Sequence, residues 1–231
     1  MIEGIVFDKD GTLFDFRKSW GGWATALLRD LAPQEDEPAA LGRAIGFDPR
    51  TGVFDPSSPV IAATAQEIAE ALAPHLPGMS VASLVARMNV LAEGAPMSPT
   101  VPLHPVLSGL RARGLRIGLA TNDTEAPARA HLAAHGITDL FDFIAGCDSG
   151  HGAKPGPGQL LAFASAFGLA PARVLMVGDS RHDPIAGRAA GMRPVAVLTG
   201  IAAAEELAPL AEVVLPDIGA LSGWLDGQIL G

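Results

Sequence analysis

The chain has 231 residues, 48% of them hydrophobic, and a net charge of −9 from 16 basic and 25 acidic side chains. That length supports one large domain or two smaller ones with real cores, no run approaches the ~18 apolar residues of a transmembrane helix, and the acidic balance argues against gripping a nucleic-acid backbone. Cys147 is the only cysteine, which rules out an internal disulfide; with no signal-peptide pattern before the first strand, a reducing cytoplasm is the expected compartment.

The first predicted element is the strand Ile5-Val6-Phe7, which breaks off into Asp8-Lys9-Asp10-Gly11-Thr12-Leu13. Carboxylates at the tip of a buried strand are costly unless they have a task. They can serve as nucleophile, proton carrier or cation ligand. Asp-x-Asp-Gly also opens an EF-hand loop, but the position for the bidentate glutamate is Ser19 and a strand precedes the motif. Lys9 reads as a solvated side chain with no role of its own.

Hydrophobic periodicity then predicts helices over Trp20–Leu31, Pro38–Ile45 and Val81–Leu91. Another is expected from the start signal Ser57-Ser58-Pro59 to about Leu76. No convincing strand is expected in this block, and residues 46–54 read as a turn-rich connection. Five prolines and glycines across Glu93 to Pro105 read as a linker.

Beyond it strands and helices alternate. Arg116–Ala120, Phe141–Ala145, Val174–Val177, Val195–Leu198 and Val213–Leu215 are predicted strands. Helices are expected to end at Gly114 and near Leu225, and to span Glu125–His135, Pro157–Phe167, Pro184–Ala190 and Ala202–Leu210. Such alternation predicts an α/β fold, a Rossmann-like, doubly wound parallel sheet with helices on both faces. The first strand must join that sheet. The core is therefore residues 1–14 and 98–231, and residues 15–97 form an inserted, all-helical cap. Ligands of open α/β sheets bind at the C-terminal strand edge, which the insertion is placed to cover.

Two further strand tips are polar. Arg116–Ala120 runs into Thr121-Asn122-Asp123-Thr124, where ordinary helix capping competes with phosphate binding. Val174–Val177 runs into Gly178-Asp179-Ser180-Arg181-His182-Asp183. If these tips neighbour Asp8 and Asp10, four carboxylates repel. Each like-charge contact at ~4 Å costs about 4 kcal/mol at an effective dielectric of ~20. Protons or a hard cation must compensate, and carboxylates plus water suit Mg²⁺. Lys154, in the stiff loop His151-Gly-Ala-Lys-Pro-Gly-Pro157, supplies another positive group.

These motifs together resemble the haloacid dehalogenase superfamily, in its phosphoglycolate-phosphatase-like branch. The likeness rests on Asp8-Lys9-Asp10-Gly11-Thr12-Leu13, Thr121 with Asn122, Lys154-Pro155-x-Pro157, and Gly178-Asp179-Ser180-x-x-Asp183 followed by Gly187 and Ala190-Gly191, in family order. The resemblance implies that Asp8 attacks phosphorus and that Asp10 protonates the leaving oxygen, then activates water. It implies Mg²⁺ held by Asp8, the Asp10 carbonyl and Asp179, with Asp183 holding or orienting the site. Thr121, Asn122 and Lys154 would bind phosphoryl oxygens, and Gly11 would let the loop backbone approach them. An aspartate at position 10 favours a phosphate ester over a halide, which needs no protonation.

The expected activity is thus hydrolysis of a small phosphorylated metabolite, phosphoglycolate-like or a sugar phosphate, by a monomer or homodimer without nucleic-acid or membrane partners. A phosphomutase, or a binding protein that lost turnover, are the alternatives. Arg17, Lys18 and Arg50 are candidates for holding a substrate carboxylate. His131 and His135 have zinc spacing but lack a third ligand. His182 reads as a surface helix start in preference to a place at the site mouth, and Trp20 and Trp23 as core or cap–core contacts in preference to substrate stacking.

Overall fold

In the computed structural model, which describes residues 1–32 and 38–229, the chain opens with β1 (Gly4–Phe7). Then come α1 (Phe16–Leu31), α2 (Pro38–Ala44), β2 (Phe47–Asp48), β3 (Val53–Phe54), α3 (Ala65–Leu72) and α4 (Val81–Glu93). The remainder alternates: α5 (Leu103–Ala112), β4 (Arg116–Ala120), α6 (Glu125–Ala134), β5 (Phe143–Ala145), α7 (Gly158–Ala166), β6 (Val174–Gly178), α8 (His182–Ala189), β7 (Arg193–Val197), α9 (Ala204–Leu207), β8 (Val213–Leu215) and α10 (Leu221–Ile229).

Six strands make one parallel sheet in the order β5-β4-β1-β6-β7-β8. β1 is central because all four of its residues are buried and neither face can meet water. Alternation splits its side chains. Ile5 and Phe7 join the larger core with Ile117, Leu119, Leu175 and Val177, under α5, α6 and α10. Val6 joins the smaller one with Phe163, Met176 and Ala186, under α7 and α8. Each such fully buried side chain contributes about 1.5–3 kcal/mol. Gly118 has a packing reason: a Cβ there would stand 2.7 Å from the Phe163 ring. Register Phe7↔Leu119 and Phe7↔Val177 sets the tips of β4, β1 and β6 side by side.

The insertion lies over those tips and is helical, with three local departures from expectation. Asp15 caps α1 by accepting from Lys18 N at 3.1 Å, so the helix begins at Phe16 rather than Trp20. The helix expected from Ser58 to Leu76 is broken. Ser58 caps only a 3₁₀ turn, Pro59–Ile61, and the chain restarts at Thr64, whose capping box with Glu67 is the stronger start signal. The connection at 46–54 closes into the antiparallel ribbon β2–β3 instead of staying irregular. Pro105, expected in the linker, sits in the first turn of α5, where a missing N–H is not needed.

The two chain crossings into the insertion are tied together. Asp15 N donates to Ser98 O at 2.8 Å and Ser98 N to Ser19 Oγ at 3.0 Å. Among the described residues no helix is long and apolar enough to cross a membrane.

Candidate active site

β1 ends where Asp8 N donates to Val177 O at 2.9 Å, which aims the Asp8 side chain off the sheet edge. Lys154 Nζ donates to Asp8 Oδ1 at 2.5 Å and to Asp183 Oδ1 at 2.7 Å. Asp183 Oδ2 accepts from Ser180 N and Oγ at 3.0 and 2.8 Å, and Asp179 Oδ1 from Thr12 Oγ1 at 3.1 Å. Oxygens of Asp8, Asp179 and Asp183 all lie within 4.8 Å of one another. Gly11 has φ +83, and a Cβ there would overlap the Asp179 carboxylate, so only glycine fits this crossing.

Burial, opposed by Lys154 and reinforced by Asp183 and Asp10, pushes Asp8 up to about 7. Burial together with Asp8 and Asp183 lifts Asp179 well above the usual carboxylate range. Burial also works against the Lys154 charge, but Asp183 and Asp8 outweigh it and hold the ammonium above its ordinary range. Three buried carboxylates face one ammonium, so full ionisation of the cluster would leave it short of positive charge and its aspartates hold their protons more tightly. An all-oxygen donor set in that condition fits a hard divalent cation.

Lys9 is not solvated. Its side chain is 0% exposed, and a buried charge of this kind persists only when paired. Nζ donates to Asp10 Oδ1 at 2.8 Å and lies 3.1 Å from Asp123 Oδ2, an ion pair without hydrogen-bond geometry. It also meets His131 Nδ1 at 3.1 Å and sits 5.0 Å from the Trp20 ring centre. An ammonium has no acceptor, so His131 Nδ1 must accept, and its proton is on Nε2, which donates to Ala92 O at 2.7 Å. Burial, then the Lys9 charge, lower His131 to about 4, which keeps the ring neutral. With both nitrogens engaged, His131 offers nothing to a metal.

Asp10 Oδ1 accepts a second bond, from Trp20 Nε1 at 2.7 Å, so Trp20 touches the site as well as the core. Asp123 was unremarked in the sequence beyond capping; burial is the main reason its carboxyl stands above the usual range. Nothing in the local pattern separates it from an N-cap, and only its distant partner Lys9 reveals it.

A cavity of about 60 Å³ lies between strand tips and insertion. At ~10–15 Å³ per water by that measure, it has room for a few waters or a phosphoryl group. Asp8, Asp10, Thr121, Asn122, Lys154 and Asp179 all line it, as do Ser180 and His182, so His182 is not merely a surface helix start. Asn122 is a clamp: its Oδ1 accepts from Lys154 N, and Nδ2 donates to Lys154 O and Ala62 O, each at 2.8 Å. Asp183 sits behind the wall, reaching it through Lys154.

Arg17, Lys18 and Arg50 do not line the cavity. Lys18 turns back to Asp15 at 2.9 Å with 70% of its side chain exposed. Arg50 lies on the β2–β3 ribbon beside Asp48, 91% exposed, against a separate surface depression. Among the described residues the insertion gives the cavity an apolar wall, including Trp20, Trp23, Ile68 and Met88, with Asn89 as its one polar side chain.

A family model described as haloacid dehalogenase-like hydrolase matches residues 2–191. A phosphoglycolate phosphatase from Rhodospirillum rubrum is 32% identical over 238 residues, covering 97% of this chain and 91% of the relative. One from Cereibacter sphaeroides is 35% identical over 192 residues, covering 83% of each. In three dimensions the chain is similar to a crystal structure of a predicted phosphoglycolate phosphatase from Haemophilus somnus. The TM-score is 0.74 at 19% identity, covering 97% of this chain and 98% of that one.

Proposed function

This chain belongs to the haloacid dehalogenase-like hydrolase family, and from that premise we propose that it is a Mg²⁺-dependent phosphatase of small phosphorylated metabolites, phosphoglycolate-like or sugar phosphates, working through an aspartyl phosphate. The observation that carries this reading is the trio Asp8, Asp179 and Asp183, with Lys154 among them, buried beneath a cavity of phosphoryl size. The names of the relatives support the phosphoglycolate-like part of that range.

In this reading an Asp8 carboxylate oxygen attacks phosphorus. The ester P–O bond breaks as Asp10 gives its proton to the departing oxygen. Asp10, now a carboxylate, takes a proton from water as that water attacks the aspartyl phosphate, which releases phosphate and restores both aspartates. Lys154 neutralises phosphoryl oxygens, and Thr121 and Asn122 position them; Gly11, expected to bring its backbone to them, instead donates its N–H to Phe14 O at 2.6 Å and does not line the cavity. Asp8, Asp179, Asp183 and the Asp10 carbonyl would hold Mg²⁺, which when bound neutralises charge on the phosphoryl group. Residues 1–14 and 98–231 form the catalytic core and 15–97 the cap; the paired crossing at Asp15 and Ser98 supports those bounds.

The apolar cap wall favours a second, narrower reading. A substrate carboxylate set against Trp20, Ile68 and Met88 would lose hydration without gaining a cation. An uncharged organic part fits that wall better. The test is a phosphate-release screen over 2-phosphoglycolate, sugar phosphates, nucleoside monophosphates and simple alkyl phosphates, with Mg²⁺ or with EDTA. Metal-dependent release from at least one ester, lost in Asp8→Asn, is expected. No metal-dependent release from any of them would refute the proposed function. Faster turnover of 2-phosphoglycolate than of every uncharged ester would refute the narrower reading.

A further inference from the structure

Lys9 follows the candidate nucleophile directly, yet neither the sequence motif nor the reaction above gives it anything to do. We infer that Lys9 and Trp20 are positioning residues that fix the Asp10 carboxylate for proton transfer; this rests on the phosphatase reading.

The geometry is specific. Asp10 is only 15% exposed, and a carboxylate near a cavity otherwise has several rotamers open to it. Its Oδ1 is held from two directions, by Lys9 Nζ at 2.8 Å and Trp20 Nε1 at 2.7 Å, and the same ammonium also lies 2.8 Å from Oδ2. Lys9 thus pairs with both oxygens and Trp20 with Oδ1 alone, which leaves Oδ2, with one donor fewer, to carry the exchangeable proton. In the first step that proton passes from Oδ2 to the leaving-group oxygen as its bond to phosphorus breaks. In the second, Oδ2 takes a proton from the attacking water.

The two holders are themselves immobilised. Lys9 is fixed by Asp123 at the start of α6 and by His131 Nδ1 on α6, with the Trp20 ring beside it. His131 is fixed in turn by Ala92 O on α4. Trp20 packs edge-on to Trp23, ring centres 5.0 Å apart, and Trp23 Nε1 donates to Met88 O. Rotation of Asp10 would therefore leave a buried ammonium and a buried indole N–H short of an acceptor, a cost that holds the carboxylate in place.

The experiment compares kcat/KM for an alkyl phosphate, whose alkoxide needs a proton, with that for p-nitrophenyl phosphate, whose phenolate barely does. Trp20→Phe keeps an aromatic ring and removes the N–H donor along with the indole's second ring. It should lower kcat/KM about tenfold or more for the alkyl ester and far less for p-nitrophenyl phosphate, since acid catalysis is worth ~10²–10⁴ in all. In an Asp10→Asn background the same substitution should cost nothing further. Equal losses on both esters, or a full additional loss beside Asp10→Asn, would mean a packing role and overturn the inference. The charge-conserving double variant Lys9→Met/Asp123→Asn should reproduce the leaving-group dependence, and it decides the matter if Trp20→Phe does not fold. Absence of turnover by the unaltered protein on both esters would instead strike the phosphatase reading, so the two failures are distinct.

Discussion

Lys154 and Lys9 are both buried ammonium groups set among aspartates reached from one loop, but the two clusters are balanced differently. Lys154 faces three carboxylates, Asp8, Asp179 and Asp183, and the cluster opens on the cavity. Lys9 faces two, Asp10 and Asp123, and its remaining contacts are a neutral imidazole and an indole ring inside the protein. The first cluster sets three carboxylates against one ammonium; the second sets two against one, with its ammonium hydrogen-bonded to Asp10 and His131 and paired with Asp123. A site meant to receive a cation and an anion must be left incomplete, while the framework that aims its groups must be complete.

The largest expected effect breaks that contrast by removing each lysine in turn. Lys9→Met strands Asp10, Asp123 and the acceptor at His131, and unpairing a buried charge costs about 3–5 kcal/mol. In a domain of this size that lowers Tm by roughly 10 °C or more. Lys154→Met also destabilises the metal-free protein, but saturating Mg²⁺ should return most of the loss by binding only the folded state. Thermal melts of both variants with Mg²⁺ and with EDTA provide the check. Mg²⁺ rescue of Lys9→Met, or none of Lys154→Met, would show that the clusters do not differ as described.

A smaller effect sharpens it through pH. Asp8 is raised to about 7 and Asp179 is raised as well, so the folded protein binds protons that the unfolded chain has released. Stability therefore falls as pH rises from the ordinary carboxylate pKa of ~4 through about 7, where Asp8 gives up its proton. In EDTA the protein should lose on the order of 2 kcal/mol between about pH 5 and pH 7.5. Asp179→Asn removes one of the crowded charges, so its profile should be flatter and its stability at pH 7.5 higher, while the Tm gain from Mg²⁺ disappears. Denaturant melts across that range test all three points. A profile that rises with pH would contradict the crowding.

The same contrast explains what the sequence revealed. The sheet was legible because buried parallel strands read as apolar runs and end at polar tips, and Asp8 and Asp179 stood at those tips, with Lys154 in the stiff loop before α7. The Lys9 cluster was not legible. A lone lysine in a charged motif looks solvated, and its partners lie at positions 123 and 131, inside what reads as routine helix capping and an amphipathic helix. Thr64-x-x-Glu67 did carry a readable start signal, hidden within a longer helical period. The cavity wall was obscured by the opposite error. Arg17, Lys18 and Arg50 drew attention as charges near the motif, whereas the wall is made by Trp20, Ile68 and Met88, which look like core.

The smallest expected effect belongs to Arg50, and its smallness is informative. Its guanidinium is 91% exposed and pairs with Asp48 within the β2–β3 ribbon, so solvent screens the pair and it contributes little. The ribbon's tip stands against its own depression and contributes nothing to the cavity wall. Arg50→Ala should therefore change stability by less than about 0.5 kcal/mol. It should also leave KM for 2-phosphoglycolate and for p-nitrophenyl phosphate within about twofold, since a lost charge-assisted bond would cost far more. A several-fold rise in KM confined to the carboxylated substrate would put a cation over the apolar wall during turnover, and the cap would then have to reach the site in an arrangement unlike this one.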